Sequence, residues 1–548
     1  MRLTLLLLLL LTSTKPLELD RSALRPLESW IEAQTAGIAP GVAVGIVQDG
    51  EIVYETYAGY ANLEHGAKIG PETRFNIASN AKQFTALCTL ELAREGVIAL
   101  DQDIRKYIPE LYADSSHPIA VSNLLDHTSG IRDVYDLWSL QGKTWWKLFL
   151  DNADALELLT AQQDLNFEVG SEHAYSNSNY LLLAEIVQRA TGQSFHEYAA
   201  SMFERAGMNR TVFLSNSMAI VPDRAAPYGN WNGWKQYPTI TSLHGDGALF
   251  TTLGDQLLWE TILQSQQAPG FDADLIVESQ GGVPGSLTDR YGFGVTFDTY
   301  KGLDCAYHEG NTGAYNATFL RFPSERLAIV VMSNNGSLST AALARAYADA
   351  VLGEEKLTEP VYPTRPATLE EKPALDEIVG VYEMNDGTIA TVTDRRGKVF
   401  LQVGSQDSVR LAHERGNLYR HASARDRKLS FSSEESKGAS LTIFRSEQEP
   451  SVGMRLTAGP IEADYPRSIE GRYLNSETET EIVLRHREGD EYDVIKNGRA
   501  RVGTLVVRDR LRERSRTLRI DRDDEGRVRG LRVDGNRIRN VWFEKTDD

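Results

Sequence analysis

Two cysteines, Cys88 and Cys305, are all that the 548 residues contain, so no disulfide framework can hold this chain and its cores must do so. One bridge between them is permitted in an oxidising compartment. Cys88 lies in an apolar run, however, and two buried free thiols are expected. The ten histidines are scattered; without His-Glu-x-x-His or Cys-x-x-Cys, zinc has no ligands at a workable spacing. Gly-x-Ser-x-Gly, a phosphate-binding loop and Gly-x-Gly-x-x-Gly are also missing, which sets aside the α/β-hydrolases and the common nucleotide enzymes. No cofactor is called for. Positive charge is in deficit: the net charge of −19 argues against nucleic acid or an anionic membrane surface as a partner. Only one long apolar run occurs, LTLLLLLLLTST after Met1-Arg2. It is too short to span a bilayer and reads as a secretory signal, lost near residues 13–19, with no following cysteine to carry a lipid. The expected location is secreted or periplasmic.

Against these absences stands Ser79-Asn80-Ala81-Lys82. A serine and a lysine three residues apart share a helical face, so the amine reaches the hydroxyl. The run from Ala81 to Ala93 (Phe84, Leu87, Cys88, Leu90, Leu92) carries no charge between Lys82 and Glu91, and Gly96 supplies a C-terminal stop, so it predicts a helix buried on nearly every side. A lysine there is costly to keep charged, which would make it a base for the serine. The spacing alone equally suits a helix-capping serine beside a snorkelling lysine, since Ser-x-x-Lys arises by chance on the order of once in such a chain.

Two further patterns follow in order. Tyr175-Ser176-Asn177 sits in EVGSEHAYSNSNYLLLAEIVQRATG, a turn leading into an apolar helix; the tripeptide pattern also occurs at Tyr60, Tyr228 and Tyr473 and means nothing without its context. His308-Glu309-Gly310 is the one His-x-Gly, between segments rich in strand formers. In sequence, Ser-x-x-Lys, Tyr-x-Asn and His-x-Gly resemble the penicillin-recognising serine hydrolases: class C β-lactamases, DD-peptidases, related esterases and D-aminopeptidases. The resemblance spans about residues 25–350 and includes LLDHTSGIRD and GDGALFTTLGDQLLWE. Most members have lysine where His308 stands; histidine is similar to the D-aminopeptidase and esterase branches. The resemblance implies Ser79 as the acylated nucleophile, Lys82 and Tyr175 as the proton-transfer pair, and Asn177 as a partner for the substrate amide. It places His308 and Gly310 on the strand along which substrate lies, and the main-chain N–H groups of Ser79 and Asn311 as the oxyanion hole. Acyl transfer needs these same parts: a nucleophile, a base within reach and two donors aimed at the developing charge.

The length calls for about three domains. Arg21 to Gln34 is predicted helical, and GVAVGIVQDGEIVYETYAGYAN a hairpin turning at Asp49-Gly50. Helices and loops fill the middle, where the tryptophans are expected in the core more than along a cleft. Strands return with YGFGVTF, DCAYHEG, ATFLRF and LAIVVMSN, and the helix AALARAYADAVLG closes the unit. The expected fold class is α+β: a class C β-lactamase-like catalytic domain, an antiparallel sheet flanked by helices plus a helical subdomain, followed by two small antiparallel β-barrels. Boundaries fall at 1–19 for the signal, 20–353 for the hydrolase domain, 354–373 for a proline-rich charged linker, and 374–462 and 463–548 for the barrels, which begin alike at Gly380-Val381-Tyr382 and Gly471-Arg472-Tyr473. Few contacts are expected to cross the linker, so the catalytic domain should fold alone. The run RDRLRERSRTLRIDRDDEGR is expected to be a solvated barrel face.

The last barrel looks like that of bacterial D-aminopeptidases, in which a loop of the final barrel reaches the cleft and helps bind the substrate's amine. Here 504–521 is short and charged, without a projecting loop, which leaves amine recognition unassigned. Three readings remain: a D-aminopeptidase-like serine peptidase on small peptides or amides, an esterase or weak β-lactamase with the same nucleophile, and a non-catalytic binding protein retaining the fold. The expected partners are a small peptide, amide or ester substrate, with no nucleic acid, no membrane span, and a homodimer left open.

Overall fold

The computed structural model describes residues 19–546 except 114–116, 238–239, 268–269, 359–371, 405, 423–426, 435–437, 446–449, 458–460 and 462–463. The expected signal, most of the expected linker and part of the division between the barrels lie outside the described residues.

Helix α1 (Arg21–Gln34) precedes strands β1 (Val42–Gln48) and β2 (Glu51–Ala58). Asp49 and Gly50 between them both have positive φ (54° and 82°), the geometry of the expected two-residue hairpin turn. The chain returns to this sheet only after some 240 residues, with β3 (Thr296–Tyr300), β4 (Leu303–Thr312), β5 (Tyr315–Phe322) and β6 (Leu327–Ser333). The order is β3-β4-β5-β6-β1-β2, antiparallel throughout, so both ends of the domain meet where β1 pairs with β6. Both faces of the central strands are buried. Val42, Val44, Ile46, Ile329 and Val331 pack beneath Leu24 and Ile31 of α1 and Leu343 and Tyr347 of the closing helix (Thr340–Lys356). Ala43, Val47, Phe319, Val330 and Met332 face the helical region. That is why β1 and β6 read as continuous apolar runs rather than alternating ones.

Helix α2 (Lys82–Arg94) runs through the middle of the domain, with every residue from Lys82 to Leu92 buried. It ends as expected: Gly96 has φ +73°, its N–H donates to the carbonyl of Ala93, and that of Val97 to Leu92. Helix α3 (Asn177–Thr191) packs beside it. The tryptophans divide: Trp138 is in the core, whereas Trp145 is half-buried at the cavity described below.

Two closed eight-strand antiparallel barrels follow, from Gly380–Met384 to Ser451–Arg455 and from Gly471–Asn475 to Ile538–Thr546. Two expectations for this half change. The core of the second barrel (Tyr473, Leu484, Leu511, Phe543) is continuous with that of the catalytic domain, so extensive contact exists between the two. The charged run is a solvated face only in part, at Arg514 and from Asp524 to Arg527. Arg516 is buried with its guanidinium on the carbonyls of Ser139 and Asp136, Glu513 is buried against Lys496 at 2.9 Å, and Arg510 pairs with Glu383 of the first barrel at 3.2 Å. Alternating charge marks an outward strand face but does not say whether water or another domain lies beyond it.

Candidate active site

Ser79 lies in a 3-10 turn (Ala78–Ala81) one step before α2, rather than in the helix itself. Ala78 holds a left-handed backbone (φ +48°), with its N–H bonded to Asn76 Oδ1 at 2.8 Å. A non-glycine residue there stores on the order of 1–2 kcal/mol of strain, and the sharp turn leaves Ser79 partly exposed above a buried helix. Strand β4 runs against this turn. A Cβ on Gly310 would lie 2.2 Å from the Ile77 carbonyl oxygen, so the close approach of strand and turn requires glycine at that position.

Ser79, Tyr175, Asn177, His308 and Asn311 line one cavity of about 1190 Å³ between sheet and helices. Lys82 is fully buried behind Ser79. Its Nζ lies 3.1 Å from Ser79 Oγ, 2.9 Å from Asn177 Oδ1 and 2.7 Å from the Asp246 carbonyl oxygen. Asn177 heads α3 and is fixed by Asp133, whose Oδ2 accepts from its main-chain N–H (2.8 Å) and its Nδ2 (2.9 Å). Tyr175 stands with its ring centroid 5.0 Å from Lys82 Nζ, and its hydroxyl makes no hydrogen bond to the described residues. The expected pair is thus adjacent but not directly bonded, a looseness common when no substrate bridges such groups. His308 is buried, with Nδ1 2.9 Å from the Glu309 carbonyl oxygen and Nε2 3.2 Å from the Tyr291 hydroxyl. Burial, aided by the nearby Lys82, depresses its pKa to about 3, so it is neutral at neutral pH.

The Beta-lactamase family matches residues 27–354. The chain belongs to the beta-lactamase family. It is 31% identical over 333 residues to a D-aminopeptidase of Gluconobacter oxydans, an alignment covering 59% of this chain and 62% of that protein's length. A D-aminopeptidase of Cereibacter sphaeroides is 26% identical over 467 residues, 83% of each chain. The octameric penicillin-binding protein homologue from Pyrococcus abyssi shares the fold with a TM-score of 0.56 and 20% identity, over 79% of this chain and 100% of that one. This beta-lactamase-family protein is a serine hydrolase, which removes the non-catalytic reading.

The structure adds residues that no motif indicated. Asp133 orients Asn177, as above. His127 is fully buried, packs at a tilt against the Tyr175 ring with centroids 4.3 Å apart, accepts from Asn179 at 2.9 Å, and is held neutral by burial. Asp246 is buried; its Oδ2 accepts from the Tyr135 hydroxyl at 2.9 Å, while Oδ1 has no hydrogen-bond partner among the described residues. Asp133 closes LLDHTSGIRD as the N-cap of the helix Val134–Leu140, and Asp246 lies between two glycines in GDGALF; a helix-capping position and a glycine-flanked loop are the signals that mark them.

The second barrel also reaches the cavity, by an element unlike the expected one. Residues 504–521 lie in tight strands with no projecting loop. The two-residue turn Asn536-Arg537, joining the last two strands (Val528–Gly535 and Ile538–Thr546), lines the cavity instead. Arg537 donates its main-chain N–H to Asp136 Oδ2 at 2.9 Å and accepts from Asn166 Nδ2 at 3.0 Å. Burial and the neighbouring Asp133 push the Asp136 carboxyl up to about 6.

Proposed function

We propose that the protein is a D-aminopeptidase-like peptidase or amidase, which forms an acyl-enzyme on Ser79 from small peptides or amides bearing a free amine. The observation that carries the amine preference is Asp246 Oδ1: a buried carboxylate oxygen without a partner, in a cavity-lining residue whose carbonyl touches Lys82. An unpaired buried acceptor is costly, and an ammonium beside the acyl carbon would satisfy it. The names of the D-aminopeptidase relatives support the same substrate class.

In this reading Ser79 attacks the acyl carbon while its proton passes to Lys82. Asn177 Oδ1 and the Asp246 carbonyl oxygen can only accept, so they take two N–H bonds of the amine and leave its third position, a lone pair in the neutral form, facing Ser79. The tetrahedral oxyanion meets the main-chain N–H groups of Ser79 and Asn311. Tyr175 passes the proton to the leaving nitrogen, and water then releases the acyl group by the reverse path. His308, neutral and on the substrate strand, offers no fixed charge to a substrate carboxylate, unlike the lysine usual there. The leucine-rich start is proposed to export the protein to the periplasm or beyond.

Labelling with a fluorophosphonate should place the adduct on Ser79, and Ser79→Ala should abolish both labelling and turnover; an adduct on another serine overturns the mechanism. Lys82→Arg should be almost inactive, because a guanidinium keeps its charge. For specificity, kcat/KM should be much higher for a D-aminoacyl amide than for its N-acetyl derivative or a penicillin. Asp246→Asn should erase the preference over the N-acetyl derivative. A wild-type enzyme that turns over short esters but not the free-amine amide would make it an esterase.

A further inference from the structure

Positive charge within reach of a substrate is scarce in this cavity. Lys82 is fully buried and its Nζ is engaged by Ser79, Asn177 and the Asp246 carbonyl, so it has nothing left to offer a ligand. His308 is neutral. Arg290 stands beside Asp298 at 3.7 Å.

Arg537 differs in three respects. Its backbone is pinned on both sides to Asp136 and Asn166, so the guanidinium is delivered to a fixed place by the barrel turn. It lies over the ring of Tyr175, 4.6 Å from the centroid. Its side chain is 45% exposed, with a single long contact, Nη1 to Asp133 Oδ2 at 3.4 Å; Nε and Nη2 bond to none of the described residues. The Asp133 carboxylate is meanwhile shared with Asn177 and the main-chain N–H of Tyr135. An arginine with most of its donors free, fixed at the wall of a cavity, is built to receive a carboxylate.

We propose that Arg537 binds the carboxylate of the leaving amino acid, so that the preferred substrates are short peptides with a free C-terminus, dipeptides first, rather than simple amides. This rests on the peptidase reading for one point: a general acid must touch the nitrogen it protonates, and Tyr175 in that role puts the leaving group beneath the guanidinium. In a dipeptide the carboxylate is one carbon from that nitrogen. The charge that the substrate strand lacks at His308 is thereby supplied from another domain.

The test uses D-alanyl-glycine and D-alanyl-glycinamide with the full chain. Wild type should favour the free acid by about tenfold or more in kcat/KM, as a charge-assisted hydrogen bond implies, and 0.5 M salt should shrink that ratio. Arg537→Gln should bring the ratio near one whatever happens to the absolute rates, and Arg537→Lys should keep part of it. A wild-type ratio near one overturns the proposal. So does an unchanged ratio in Arg537→Gln with both rates lowered, which would make the residue only a support for Tyr175. If neither dipeptide is hydrolysed, the peptidase reading fails by itself. Competitive inhibition of short-ester turnover by the two dipeptides then supplies the same ratio and decides on Arg537 separately.

Discussion

In the first barrel Tyr382 donates its hydroxyl to the carbonyl of Ile378 at 2.8 Å, and in the second Tyr473 donates to Ile469 at 2.7 Å. Each tyrosine is fully buried, and each barrel follows a one-turn helix, Leu375–Ile378 or Tyr465–Ser468. The two units repeat one design down to a single hydrogen bond, yet their surroundings differ. The first barrel has a core of its own, and among the described residues its hydrogen bonds to the rest of the protein go to the second barrel, through Glu383, Gly387 and Thr391. The second shares its core with the catalytic domain and places Arg537 in the cavity. The same fold occurs twice; position relative to the cleft decides which copy reaches the cavity, leaving the other as a distal module.

Removing both barrels, by ending the chain at residue 358, is the most severe challenge to that contrast. It should yield a protein that aggregates, or that loses at least about a hundredfold in kcat/KM, because it strips the cover from a continuous apolar core. A soluble fragment with full activity would reduce the second barrel to the status of the first. Next in size is Arg132, which is 1% exposed in the catalytic domain and pairs with Glu477 of the second barrel at 2.9 Å, with further bonds to the carbonyls of Arg539 and Asn540. Arg132→Ala leaves Glu477 without its cation, with only the Gln163 N–H at 3.2 Å, takes a donor from two carbonyls, and should cost about 3–5 kcal/mol in denaturant unfolding; a cost below about 1 kcal/mol would mean that the two domains separate readily.

The same contrast extends to acid. The catalytic domain buries His127 and His308, whereas no described histidine of the first barrel is buried. The folded-state pKa of His308, about 3, lies below the unfolded value of about 6.5. Between those values the unfolded chain binds the extra proton, so the contribution of His308 is complete above pH 6.5 and is lost as pH falls toward 3. From pH 7 to pH 4.5, the stability advantage of wild type over His308→Asn should therefore shrink by on the order of 2–3 kcal/mol. The double difference cancels Asp136, whose raised carboxyl acts with the opposite sign. An unchanged advantage would show that His308 is not held neutral.

Much of this was legible in the residues. Apolar runs buried on both faces, the Asp49-Gly50 turn, the Gly96 stop and the short alternating strands are local signals, and they gave the sheet, the central helix and the barrels. Ser79, Lys82, Tyr175, Asn177 and His308, which the structure brings together, are candidates read from short motifs whose order in the chain is specific. What stayed hidden depends on long-range docking. Arg537 lies more than 350 residues from Tyr175, in a turn whose sequence, Gly-Asn-Arg, says nothing of what it faces. Arg132 and Arg516 look like ordinary surface charges until another domain is laid over them. Strand periodicity reports which side a residue points to and not what is there.

The smallest effect should come from the joint between the barrels. Arg510 and Glu383 meet at 3.2 Å, with a second, longer bond at 3.4 Å, and both side chains are between a fifth and a quarter exposed (23% and 22%); among the described residues the only further bond of the Arg510 side chain is from Nη1 to the Asp509 carbonyl. Such a pair gains little over its hydrated parts. Arg510→Met should lower stability by no more than about 1 kcal/mol, an effect that fades at high salt, and it should leave kcat/KM for the free-amine amide within about twofold. Arg132→Ala, the removal of the same residue type at the other face of the second barrel, is expected to cost several times more. If the two substitutions prove equally costly, the second barrel is held as tightly to its twin as to the catalytic domain. If Arg510→Met also lowers turnover, the first barrel acts on the cleft through its neighbour and is no longer a distal module.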